Sequence, residues 1–167
     1  MAKSPAHIKP SALSGKGTET PAADTVIYRM HASTYSATDT PGAMRAPGRW
    51  HSIGTRVIYA AEHISLAVLE TVIHAAGRRL PPRSITRITI PSSVTIEETD
   101  WLDQPHSAAF GDDWAKSART AILRVPSIAV NKLESNFVLN PLHPDFTKIT
   151  FSKSEPFSLD ERFIVLR

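Results

Sequence analysis

The chain has no cysteine among its 167 residues. That excludes a disulfide framework, a thiolate metal site and a cysteine nucleophile, and it fits a reducing compartment. No apolar run approaches the roughly 20 residues of a membrane span. The start, MAKSPAHIKP, lacks the apolar centre of a secretory signal. We therefore expect a cytoplasmic protein with no membrane partner. There is no Walker loop and no G-x-G-x-x-G, so a nucleotide is not gripped in those glycine-rich ways. A G-x-S-x-G elbow is missing, which discounts a serine hydrolase. Glu70 and His74 stand at i,i+4, but no third ligand is evident and the H-E-x-x-H order is absent, so no metal is expected. No Lys/Arg run reads as a nucleic-acid arm.

What is present is an ordinary globular balance, 41% hydrophobic and 21% charged, in a length that suits one domain with a real core. The formal net charge is +3, with a pI near 9.4. The charges are scattered: a solvated surface explains them, and attraction to an anionic ligand is the sharper reading. Residues 1–24, rich in Ser, Thr, Pro, Ala and Gly, read as a mobile tail. The folded domain is expected over 25–167, opening on the strand TVIYRM. Residues 33–48 hold Pro41, Gly42, Pro47 and Gly48 and read as a loop. RVIYAA reads as a buried strand. A helix is expected from about Leu66 to Ala76, with Ser65 as its N-cap and Gly77 as its stop. SITRITI alternates as a strand with one wet face. Residues 107–120 suggest a short helix, and AILRV, SIAV, NFVLN and ERFIVLR suggest strands. Strands outnumber helices and do not alternate with long ones. The expected fold class is therefore α+β with a mixed or antiparallel sheet.

Five positions stand out chemically. The helix SLAVLETVIHAAG is apolar almost all round, so it should be buried, yet Glu70 lies in its middle. A buried carboxylate needs compensation. Either it forms a structural ion pair with an arginine, or it is aimed into a cleft. Arg49 lies between Gly48, which lets a backbone come close to a ligand, and Trp50, which offers a flat face. Its planar fork suits phosphate oxygens, although most Gly-Arg-Trp strings are surface turns. Arg29, at the end of the first strand, is a second such candidate. Tyr59 is either core or a stacking platform for a planar ring. Ser127 follows Pro126 at a strand break, where a hydroxyl either steadies a turn or faces a pocket.

Taken in order, GRWHSIGTRVIYAAEHISLAVLE, WLDQPHS, GDDW, ILRVPSIAV, NFVLNPLHPDF and LDERF resemble the RES domain, from about Tyr28 to Arg167. That family is named for an arginine, a glutamate and a serine, matched here by Arg49, Glu70 and Ser127. The resemblance implies an ADP-ribosyltransferase-like split mixed sheet with a few helices around a central cleft. It implies the toxin of a bacterial toxin–antitoxin pair that cleaves the nicotinamide–ribose bond of NAD, with NAD as substrate and no other cofactor. It also implies a helical antitoxin carrying a helix-turn-helix region as partner. On that reading Arg49 and Arg29 hold the pyrophosphate, Tyr59 lines the nicotinamide pocket and Glu70 meets the cationic sugar. Ser127 fixes a hydroxyl or phosphate, and Asn140 and His143 shape the far wall. The alternative is a mono-ADP-ribosyltransferase with a protein acceptor. A basic, cysteine-free domain that binds or cuts RNA is a third, against which no aromatic-interleaved basic strand is found.

Overall fold

A computed structural model describes residues 17–100, 102–104 and 106–164. Nine strands form one sheet: β1 (Gly17–Glu19), β2 (Thr25–Ala32), β3 (Ile58–Ala61), β4 (Arg83–Ile90), β5 (Ile96–Glu98), β6 (Ile122–Pro126), β7 (Ser135–Leu139), β8 (Thr150–Phe151) and β9 (Glu155–Phe157). The helices are α1 (Pro41–Arg45), α2 (Ile64–Ala75) and α3 (His106–Ser117). The strand order is β1-β5-β6-β7-β3-β2-β4-β8, with β9 on the far end of β4. β5 and β6 are parallel and every other pair is antiparallel, so the fold is the expected mixed α+β.

One joint in this sheet is narrow. β2 and β4 pair along eight residues, but β2 meets β3 through a single register pair, Tyr28 with Ala61. The sheet is thus nearly divided into a β1-β5-β6-β7-β3 half and a β2-β4-β8-β9 half, joined at a seam. This is the split that the sequence resemblance implied.

The period of two sorts the core onto the two faces. Ile122, Phe137 and Leu139 pack on one face with Ile27, Ile58, Ile88 and Ile90. Their neighbours Leu123, Val125 and Val138 pack on the other, beneath Trp50, Phe110 and Trp114. The α2 residues Leu66 and Ala67 cover Ala61, Met30 and Ile85 beside them. Full burial of each such side chain contributes about 1.5–3 kcal/mol.

Several local expectations are corrected. The tail does not extend to residue 24: Gly17–Glu19 pairs with β5, and Asp24 Oδ1 accepts from the Ser92 amide, so order begins at least eight residues earlier. Residues 1–16 lie outside the described residues. The 33–48 loop contains α1, started by Pro41 in its first turn, where the missing N–H costs nothing. The N-cap of α2 is His63, without a side-chain cap bond, so Ser65 sits inside the first turn. Its stop begins one residue early, at the left-handed Ala76 (φ 48°), and Gly77 follows with positive φ as well (77°). Nor is the helix wholly buried, since Ile64 and Ile73 are 42% and 51% exposed. SIAV is not a strand: Ile128–Val130 is a 3-10 turn at the tip of the β6–β7 hairpin, just past the Ser127–Glu134 hydrogen bond. The closing ERF segment is likewise a 3-10 turn, Glu161–Ile164. β5 was missed: three residues with only Ile96 strongly apolar give too short a pattern to read.

Candidate functional site

Glu70 projects from the middle of α2 and is half-buried. Of the two readings left open, the ion pair with an arginine does not appear among the described residues. Two neutral donors converge on one of its oxygens. Ser127 Oγ donates to Oε1 at 2.7 Å, and Asn136 Nδ2 donates to the same atom at 2.6 Å. Hydrogen bonds to an ionised acceptor are short and about twice as strong as neutral ones. Among the described residues nothing donates to Oε2.

Both donors come from one hairpin. β6 and β7 pair with Val125 opposite Asn136 and Pro126 opposite Ser135. The ladder continues through the Ser127 amide, which donates to Glu134 O at 2.9 Å. Ser127 and Asn136 are therefore diagonal neighbours on one face, with Glu70 Oε1 between them. The tip of the hairpin is tight: Asn131 and Lys132 both have positive φ, and Lys132 N donates to Ser127 O at 2.7 Å. Ser127 itself is 1% exposed.

Arg49 sits in a turn closed by the Gly48–His51 bridge. Three side chains hold that turn. Ser107 Oγ donates to Arg49 O, Gln104 Nε2 donates to Gly48 O, and Tyr59 Oη accepts from the Trp50 amide. Tyr59 also pairs with His51 Nδ1 at 2.8 Å, and His51 Nε2 lies 3.1 Å from Ala46 O. A carbonyl only accepts, so Nε2 carries the ring proton and Nδ1 accepts the Tyr59 hydroxyl. Burial holds the His51 pKa below its ordinary value, against the Ala46 carbonyl and Asp112, and burial pushes the Tyr59 phenol up. Asp112 accepts from Ser52 N and Thr55 Oγ1 on the far side of the turn; burial raises its carboxyl, and these bonds outweigh that and lower it.

Gly48 serves this packing. A Cβ there would lie 2.5 Å from the His51 ring and 2.8 Å from Tyr59 Oη. The expected approach of a ligand to Gly48 is thus replaced by the approach of a histidine. Tyr59 pairs with Val138 and Ala61 with Asn136. The turn bearing Arg49 and the Glu70 cluster therefore share one face of the sheet.

Arg29 is placed differently. By alternation it shares the face of Ile27 and Thr86, not the Met30 face that α2 covers. Its Nη2 donates to Asp39 O, and its buried Nη1 has no partner among the described residues. Burial lowers its pKa to about 10, against the pull of Asp39. Next to it His31, also lowered by burial, bonds Thr86 Oγ1. Asn140 and His143 turn inward to the backbone. Asn140 donates to Ala115 O and accepts from Leu142 N, and His143 accepts from the Asp145 amide.

A cavity of about 420 Å³ opens at the seam, lined by Tyr28, Ile27, Glu62, Glu98, Arg124 and Phe137 among others. None of Arg49, Tyr59, Glu70 or Ser127 lines it. Its charges answer one another: Arg124 bonds Glu98 Oε1 and Ser135 Oγ and lies 3.6 Å from Glu62 Oε1. Among the described residues no group of three His, Asp or Glu could hold a metal ion, and no helix is long and apolar enough to cross a membrane.

Sequence reasoning missed Asn136, although a signal existed. In SNFVLN, residues 136, 138 and 140 share a face, and an amide beside Val138 on a central strand requires a partner.

Comparison with known proteins bears on this arrangement. The RES domain model matches residues 26–160. A Prs ADP-ribosylating toxin of Sphingobium sp. (strain YBL2) is 37% identical over 148 residues, covering 80% of this chain and 91% of that protein. A Toxin Res of Photorhabdus laumondii is 34% identical, covering 83% and 97%. Among solved structures, a chain of the M. tuberculosis MbcT–MbcA toxin–antitoxin complex superposes with a TM-score of 0.68 at 14% identity, over 81% of this chain and 85% of that one. The fold, the order of the motifs and the matched length agree: the chain belongs to the RES domain family and, with it, to the toxins of toxin–antitoxin systems.

Proposed function

We propose that this protein breaks the nicotinamide–ribose bond of NAD. The observation that carries the reading is the carboxylate of Glu70, held on one oxygen by Ser127 and Asn136 with the other unpartnered among the described residues, in a chain similar to an ADP-ribosylating toxin. In this reaction nicotinamide leaves with the bonding electron pair, and positive charge develops on the ribose. A preorganised carboxylate acts where that charge appears, which lowers the barrier without tightening the ground state. Glu70 Oε2 is the atom for this role. Arg49 binds the pyrophosphate through its guanidinium, and Arg29, which lies on the opposite face of the sheet and donates to Asp39 O, takes no part in that contact. Tyr59 Oη is engaged by His51 and Trp50, so it contributes ring surface and the set of the Arg49 turn rather than a proton.

The electron-poor anomeric carbon then takes a nucleophile: water gives free ADP-ribose, and a protein side chain gives an ADP-ribosylated acceptor. The 37% identity to an ADP-ribosylating toxin favours the second outcome as an alternative. The partner is an antitoxin, as in the complex of the structural relative. Incubation of the purified protein with adenine-labelled NAD and cell extract tests the reading. Free nicotinamide with labelled ADP-ribose supports hydrolysis. Free nicotinamide with a labelled protein band supports transfer. Intact NAD in both settings overturns the proposal.

A further inference from the structure

The relation between Glu70 and its two donors goes beyond which residues belong to the site. Ser127 sits at the strand break that the sequence already marked. Asn136 sits inside β7, paired on both sides, with Ala61 across β3 and Val125 across β6. Its backbone is therefore among the most constrained in the sheet, while Glu70 is carried by a helix with exposed apolar residues near both ends, Ile64 and Ile73. A glutamate has three rotatable bonds, and an unrestrained one populates several rotamers. Two donors on the same oxygen remove that freedom. They fix the carboxylate plane and draw charge towards Oε1, leaving Oε2 directed by geometry rather than by a protein partner.

We propose that Asn136 is a positioning residue for Glu70, acting with Ser127 through the register of the β6–β7 hairpin. This rests on the role given to Glu70 above. An amide suits the task better than a charged donor. It supplies a hydrogen bond without a counter-charge, so the field of Glu70 stays available to a cationic sugar. Lysine or arginine at 136 would neutralise it. Aspartate would set a second carboxylate against it.

The test is a double-mutant cycle on the full chain: Asn136→Leu, Glu70→Gln and the pair. It is read as steady-state NAD consumption and, separately, as growth arrest on induction. Asn136→Leu keeps the branching at Cγ, with somewhat more bulk, and removes the donor. It is expected to lower kcat about 10- to 100-fold, the effect of losing one charge-assisted bond, with KM for NAD changed less than about 3-fold. In the Glu70→Gln background the same change is expected to cost nothing further. A loss in KM alone, or equal losses in both backgrounds, would overturn the proposal. If Asn136→Leu fails to fold, Asn136→Asp, nearly the same shape, replaces it. A folded Asp variant with full activity overturns the proposal, and one as weak as Glu70→Gln supports it. If the wild-type chain arrests growth without acting on NAD, the NAD reading falls, and the same cycle scored on growth arrest still decides the role of Asn136.

Discussion

At the Tyr59 corner every polar atom of the network has a protein partner, whereas at the Glu70 corner, on the same sheet face, one carboxylate oxygen has none among the described residues. The Tyr59 hydroxyl accepts from Trp50 and donates to His51, whose other nitrogen donates to Ala46. Such a closed circuit has no capacity left for a ligand; it stiffens the turn that presents Arg49. The Glu70 circuit closes on Oε1 and stops. Saturation suits architecture, and on the proposed function the open side of Glu70 is the side that faces the substrate.

That contrast can be broken in four ways, in decreasing order of effect. Glu70→Gln keeps the shape and removes the charge, so NAD cleavage is expected to fall about 10³-fold while the melting temperature stays within about 2 °C. Near-normal turnover in a steady-state assay would remove Glu70 from the chemistry. Gly111→Ala strikes the scaffold under the turn, because its Cβ would fall against the Trp50 carbonyl oxygen. Backbone has to move, and a loss of about 3 kcal/mol or more, roughly 10 °C in calorimetry, is expected. Tyr59→Phe opens the closed circuit by leaving the Trp50 amide and His51 Nδ1 without their partner. A stability loss of about 1–3 kcal/mol is expected, with KM for NAD altered less than about 3-fold. The reverse result, a stable variant with poor NAD binding, would place the phenol in the ligand site.

The smallest effect is acid sensitivity. Burial lowers the pKa of His51 and of His31, so the unfolded chain binds their protons first as pH falls. Their contribution is fully present above the ordinary histidine value near 6.5. It is lost progressively below that value and levels off once the folded protein is protonated as well. Melting temperatures between pH 7.5 and 5 should decline in that window, and the double variant His31→Gln/His51→Gln should flatten the decline.

How much of this was legible beforehand depended on the range of the interaction. β4 announced itself through the alternation of its second half, Ile88 and Ile90 in. Its burial keeps the period of two throughout, but in the first half it buries Ser84 and Thr86 and leaves Ile85 half-buried. The division of the sheet at Tyr28 and Ala61 came through family resemblance, since a one-pair joint leaves no local trace. Glu70 stood out as a charge in an apolar helix. Its partners did not, because Ser127 and Asn136 are 57 and 66 positions away and are brought to it by strand register. The same non-local packing turned Gly48 from a ligand contact into a berth for His51 and occupied Asn140 with backbone. Short elements failed for another reason. β5 and the 128–130 turn span three residues each, too few for any period to emerge.

The three-residue strand at the start of the described chain has a practical bearing. Gly17–Glu19 sits against the outer side of β5, where the β5-β6-β7-β3 half of the sheet would otherwise end in bare amides and carbonyls. Trimming the polypeptide to begin at Thr25, the boundary that composition suggests, would strip this cover. It would offer neighbouring molecules an open strand on which to stack. Poor solubility of such a shortened form would then be a fault at the border of the sheet and would say nothing about the reacting centre.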